Sequence, residues 1–246
     1  MIKTAIFVEG QTELIFTREL ILKFFEWQNV WVECFSLFND QDHNPVEYSY
    51  KDPNADCFFE ILNIGNDNKV ISSILKREEY LWNSGFDKII GLRDMYSQSY
   101  RETVKKSTID LAINKKFIDN HQQTLSAKSK CPERIKFHFA IMELEAWLLG
   151  IEDFFQRYHD VLDNNKINEV TNIDLSQINP ETEIFHPASL INKILGIAND
   201  SYDKSKGEIN KFMKRIEKQD FINLLNSGKC DSFNQYFRSL DIHYNR

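Results

Sequence analysis

The sequence is poor in the features that mark several protein classes. Its four cysteines, Cys34, Cys57, Cys131 and Cys230, are far apart and form no Cys-x-x-Cys pair. That spacing argues against a zinc ribbon and a disulfide scaffold, and for a reducing cytoplasm. No window approaches the roughly 20 apolar residues of a membrane helix. The apolar run ahead of Glu9 is too short for a signal peptide. Neither a Gly-x-x-x-x-Gly-Lys-Ser/Thr loop nor a Gly-x-Ser-x-Gly elbow nor a His-Glu-x-x-His pair occurs, which speaks against a P-loop ATPase, a serine hydrolase and a zinc protease. Internal repeats and low-complexity tracts are absent. There is no basic surplus either: 30 Lys and Arg face 37 Asp and Glu, a net charge of -7. That balance disfavours a simple nucleic-acid coat. It leaves room for an enzyme that meets a phosphate backbone through a local basic patch and a metal.

What is present is an ordinary globular composition, 42% hydrophobic and 27% charged, over 246 residues. Nineteen Phe and nine Tyr against eight Gly point to an aromatic-rich core. One stretch organises the rest. Ala5 to Val8 reads as a short buried strand, Glu9-Gly10 follows at once, and Glu13 to Trp27 has helical periodicity. Thr12 is the expected helix cap. Glu9 therefore stands at the carboxyl end of a strand, the edge where open α/β sheets bind ligands.

The pattern repeats along the chain. Val30 to Phe38 and Cys57 to Ile64 read as strands, with a loop or ragged hairpin over Asn39 to Asp56 between them. A helix is expected from Lys69 to about Asn83. Phe86 to Leu92 is a buried strand running into Arg93-Asp94. After a largely helical stretch from Ser97 to Gln123, Ile135 to Ile141 alternates as a strand and Met142 to Leu149 opens a helix. Strands alternating with helices predict an α/β fold with a mainly parallel sheet and flanking helices over residues 1–155. Residues 156–246 predict a small, mainly helical C-terminal region packed on it. It opens with an irregular linker over Asp160 to Thr182 and continues in helices at Pro187 to Ile197, Lys206 to Lys218, Phe221 to Leu225 and Cys230 to Leu240.

Three strand ends thus deliver acids: Glu9, Asp94 and the pair Glu143/Glu145. Hard cations such as Mg²⁺ or Mn²⁺ take oxygen ligands and keep several waters, so two or three carboxylates suffice. The same acids also serve as ordinary helix starters, which favour the helix dipole. Spacing alone leaves both readings open.

The run Phe7-Val8-Glu9-Gly10-Gln11-Thr12-Glu13 resembles the first motif of the Toprim domain of topoisomerases, primases and OLD-type nucleases. The likeness is closer to small bacterial stand-alone Toprim-like proteins. They share the Glu-Gly start, a strand ending in Asp, and a Glu-x-Glu-Ala-Trp segment, here Glu143-Leu144-Glu145-Ala146-Trp147. His186-Pro187, Tyr202-x-Lys204 and Cys230-x-Ser232-Phe233 extend the likeness over most of the chain. The resemblance implies a Mg²⁺-dependent nuclease site acting on DNA or RNA. Glu9 would be acid/base or ligand and Asp94 a ligand; Lys204, by its residue type and not by the resemblance, is a further catalytic candidate that would meet a phosphate or stabilise developing charge. It also implies an ATPase partner in an anti-phage or OLD-like defence system. One departure stands out: the usual Asp-x-Asp is Asp94-Met95-Tyr96 here. Either Glu143 or Glu145 supplies the missing oxygen, or the module is degenerate and acts as a non-enzymatic effector or binding subunit.

Other residues carry two readings each. Lys204 meets a phosphate or belongs to a solvated run. Arg93 meets a phosphate or pairs with an acid. His138 reads better as a satisfied histidine beside the core, and His186 as a turn residue. Lys128, Lys130, Arg134 and Lys136 form either a backbone-binding patch, whose binding salt would weaken, or a solvated loop.

Overall fold

A computed structural model describes residues 1–38, 42–104, 107–204 and 206–242. The architecture is α/β, as the alternation predicts. The strands are β1 (Ile2–Val8), β2 (Val30–Phe38), β3 (Asp42–Pro45), β4 (Tyr50–Lys51), β5 (Cys57–Asn63), β6 (Lys88–Asp94) and β7 (Ile135–Ala140). They form one mixed sheet in the order β3-β2-β5-β1-β6-β7, with β4 also on β2. The central pairings β2–β5, β5–β1 and β1–β6 are parallel, while β3 and β4 run antiparallel to β2. The expected ragged hairpin is therefore these two short strands, apart from residues 39–41, which lie outside the described residues.

Helices α1 (Gln11–Phe24), α2 (Val70–Asn83), α3 (Gln98–Thr103) and α4 (Leu111–Lys128) connect the strands, and α5 (Glu145–Leu149) follows β7. The C-terminal helices are α6 (Phe154–Tyr158), α7 (Asn164–Thr171), α8 (Pro180–Glu183), α9 (Pro187–Gly196), α10 (Lys206–Arg215), α11 (Lys218–Asn226) and α12 (Asp231–Ser239). The expected irregular linker therefore holds two short helices. The Asp163 side chain caps α7 by accepting from the Lys166 amide, and Asn179 caps α8. A single capped turn or two, with Ile167 buried, suffices where period-based reading sees only polar residues. No described helix is long and apolar enough to cross a membrane. All four cysteines are free.

The chain packs into two compact units, Met1–Arg93 with Lys115–Phe139 and Gln235–Arg246, and Asp94–Asn114 with Ala140–Asn234. The expected boundary near residue 155 falls inside the second. In the first unit, Ala5, Ile6, Phe7 and Val8 are fully buried, as befits a strand with parallel neighbours on both sides. Gly91 of β6 is there for space: a Cβ would lie 2.5 Å from Phe137 and 2.9 Å from Ile74. Phe24 of α1 packs on Phe237 at 4.5 Å, and the Thr17 and Tyr236 hydroxyls share a buried hydrogen bond of 2.7 Å. The second unit has an aromatic core, with Phe154 on Phe212 at 5.1 Å and Trp147 on Phe233 at 5.4 Å.

Candidate functional site

In the second unit, two chain turns stand side by side. The Met95 amide donates to the Ala140 carbonyl at 2.9 Å, and the Tyr96 amide to the Met142 carbonyl at 2.7 Å. Met142 is left-handed, with φ 63, a conformation costing about 1–2 kcal/mol outside glycine. The turn it makes sends Glu143 and Glu145 back toward Asp94. The three carboxylates offer oxygens within 4.8 Å of one another. They are 8%, 9% and 0% exposed for Asp94, Glu143 and Glu145.

Each acid is held by a separate donor. The Leu144 amide donates to Asp94 Oδ1 at 2.9 Å. The Ala188 amide, in the first turn of α9, donates to Glu143 Oε2 at 3.0 Å, where the helix dipole favours a negative charge. The Tyr202 hydroxyl donates to Glu145 Oε1 at 2.7 Å. Lys204 then enters from a loop residue at φ 60, again left-handed. Its Nζ donates to Glu143 Oε1 at 2.9 Å and lies 3.1 Å from Glu145 Oε2 and 3.9 Å from Asp94 Oδ2. Glu145 Oε2 meets that ammonium as an ion pair but makes no hydrogen bond, although it is buried. Burial alone would lower the Lys204 ammonium. The attraction of Glu145, then Asp94 and Glu143, outweighs it and holds the group above the ordinary lysine value of 10.5.

One family model, described as "Domain of unknown function (DUF4276)", matches residues 8–241. The chain belongs to the DUF4276 family. No curated protein and no solved structure gives a match.

The structure thus brings together Asp94, Glu143, Glu145 and Lys204 of this DUF4276 chain, four of the five candidate residues. Glu9 is not in the acidic group. It follows β1, half-buried, between that strand and the start of α1. Thr12 does not cap α1. Gly10 holds the cap position without a side-chain bond, and its backbone is extended, so no left-handed turn calls for a glycine there. Its φ of −148 is open to any residue, but an added Cβ would lie 2.9 Å from Glu13 Oε2.

Tyr96, at the position of the second Asp in Asp-x-Asp, packs its ring edge-on against Phe185 at 5.6 Å and His186 at 5.0 Å. Arg93 is buried, 3% exposed, with its guanidinium over Phe139 and 3.4 Å from His121. That is a packed arginine, not a free phosphate contact. His138 is the histidine beside the core, but its Nε2 is buried without a hydrogen bond. Burial, then Lys136 and Lys88, push it down to about 4, so the ring is neutral at physiological pH. Of the basic run, Arg134 donates to the Phe86 and Asp87 carbonyls and stacks on Trp82, and Lys130 pairs with Glu79. Half of the patch is therefore spent on the protein itself.

Two further residues of this DUF4276 chain take roles that its local sequence pattern does not show. Tyr202 lies two residues before Lys204, and that spacing was its only signal. Glu181 had none. It is 3% exposed and accepts from Trp147 Nε1 at 2.9 Å and from the Ser232 amide at 3.1 Å, with a short contact to the Ser232 hydroxyl. Through it the Glu-x-Glu-Ala-Trp and Cys-x-Ser-Phe segments, distant in sequence, become one buried network.

Proposed function

We propose that this chain is a divalent-metal-dependent phosphodiesterase of the Toprim type, acting on DNA or RNA. The observation that carries the reading is the convergence of three carboxylates from two chain turns within 4.8 Å, beside one lysine. The donor set fits a hard cation. Oxygens on opposite sides of one Mg²⁺ are about 4.2 Å apart, close to the span of the triad, and Glu145 Oε2 is a buried oxygen still without a hydrogen bond. Asp94, Glu143 and Glu145 would hold Mg²⁺ or Mn²⁺. A cation so held supplies Lewis acidity toward a phosphodiester.

The chain's own residues do the rest. Tyr202 and the Ala188 and Leu144 amides fix the carboxylates before any ion arrives, so little reorganisation is needed. Lys204 meets negative charge on the phosphate. For Glu9, which is not in the acidic group, a role as acid/base or ligand rests on the motif resemblance alone. A cytoplasmic setting and an ATPase partner in a defence system belong to the same reading.

A second reading has its own support. Tyr96 stands where a second acid is usual and is committed to ring packing. On that reading the module is a non-enzymatic effector or binding subunit.

Supercoiled plasmid and single-stranded RNA incubated with Mg²⁺ or Mn²⁺ separate the two. The first reading expects cleavage that Asp94→Asn, Glu143→Gln and Glu9→Ala each abolish or sharply reduce. Intact substrate under both metals, with and without a candidate ATPase, would leave the effector reading standing.

A further inference from the structure

The Lys204 ammonium lies where the three acids converge, 2.9 Å from Glu143 Oε1, 3.1 Å from Glu145 Oε2 and 3.9 Å from Asp94 Oδ2. A cation bound by these oxygens would sit about 2.1 Å from each. The ammonium already lies at that point of convergence, so a cation taking all three oxygens there would bring two positive charges together. The residue that brings the ammonium in has a left-handed backbone, which a lysine adopts only when its surroundings hold it there. The Lys204 side chain is also 38% exposed, so it reaches the acids from the surface.

We propose that Lys204 is a built-in counter-ion for the acidic cluster, displaced when a divalent cation enters and thereby freed to meet an anionic phosphodiester. The inference rests on the metal-dependent reading above and adds the order of events. Three carboxylates with one ammonium leave two negative charges; a divalent ion in its place leaves one. Entry of the metal both improves the charge balance and exposes a cation at the edge of the site. Metal loading and substrate recognition are coupled through one side chain. Without metal, Lys204 is held by the acids and meets no phosphate.

Two measurements test this on the full chain. The first is Mn²⁺ binding, by calorimetry and by electron paramagnetic resonance, to the native protein and to Lys204→Met. Removing the competing ammonium is expected to tighten Mn²⁺ binding about tenfold or more. The second follows acylation of Lys204 in the native protein by an amine-reactive ester, read by mass spectrometry. Saturating Mn²⁺ should speed it severalfold. This arm does not depend on a variant folding. Equal or weaker Mn²⁺ binding by Lys204→Met, or Lys204 acylation that is unchanged or slower under saturating Mn²⁺, overturns the displacement while the metal site stands. If neither protein binds Mn²⁺, the metal-dependent reading and the displacement fall together.

Discussion

Tyr202 donates its phenolic hydrogen to Glu145 Oε1 at 2.7 Å, and the two side chains are buried together. The Tyr202 ring is stacked on Phe212 at 5.3 Å with an angle of 8° between planes. Packing and hydrogen bonding can therefore be separated by one substitution. Tyr202→Phe keeps the stack and leaves a buried carboxylate oxygen without its donor. The expected loss is about 1–3 kcal/mol in urea unfolding. A variant as stable as the native chain would mean that the hydroxyl does not hold Glu145.

Glu60 gives a pH dependence whose sign follows from its neighbours. It sits on β5 directly across from Glu33 on β2. Burial first and Glu33 second push it up from 4.5 to about 7, against the opposing pull of Arg77. An acid raised on folding contributes stability that is fully present below 4.5 and is lost as pH rises through about 7. The native chain should lose up to about 3 kcal/mol between pH 5 and pH 8 from this group. Glu60→Gln, neutral throughout, should flatten that part of the profile and be the more stable protein at pH 8. Parallel pH profiles for the two proteins would refute the assignment.

The contact over Gly91 makes a steric prediction. A methyl group there would lie 2.5 Å from the Phe137 ring and 2.9 Å from Ile74, both fixed on neighbouring elements. Gly91→Ala should cost about 1–3 kcal/mol by overpacking. Phe137→Leu, harmful alone, should recover part of that loss when combined with it, a non-additivity expected only of touching residues. Additive melting-temperature losses would show that the backbone, not the ring, takes up the strain.

These cases show which features can be read from sequence. Asp94 ends β6, Glu145 begins α5 and Glu143 lies in the turn just before it, so all three stand where a strand gives way to a turn or helix, a place the sequence pattern marks. The period-two and period-3.6 patterns also placed the main strands and long helices, because those elements bury one face or both. The linker helix Asn164–Thr171 has no run of apolar residues to mark it: behind its Asp163 cap it buries only Ile167 and Thr171. Donors from other segments, the Ala188 amide, Tyr202 and the left-handed Lys204, depend on tertiary placement that no local pattern encodes. The Thr12 cap failed for a related reason: a threonine two residues along is buried in the helix, and the extended Gly10 takes the terminal position instead.

Ser232 lets the same logic be tested inside the second core. Its hydroxyl and amide both serve Glu181, and Trp147 Nε1 lies 2.9 Å from both Ser232 Oγ and Glu181 Oε1. Burial raises the Glu181 carboxyl above 4.5 even though these three donors, Ser232 Oγ and amide and Trp147, pull it down. A group raised on folding contributes stability below 4.5 that fades as pH rises, because the charged form must then be kept buried. The donors are thus needed most where the carboxylate is charged. Ser232→Ala should cost about 1–3 kcal/mol, and the penalty measured by urea unfolding should be larger at pH 8 than at pH 4. A penalty independent of pH would assign the loss to packing around Trp147 and Phe233. A penalty larger at pH 4 would mean that the serine serves the protonated acid, as acceptor and not as donor.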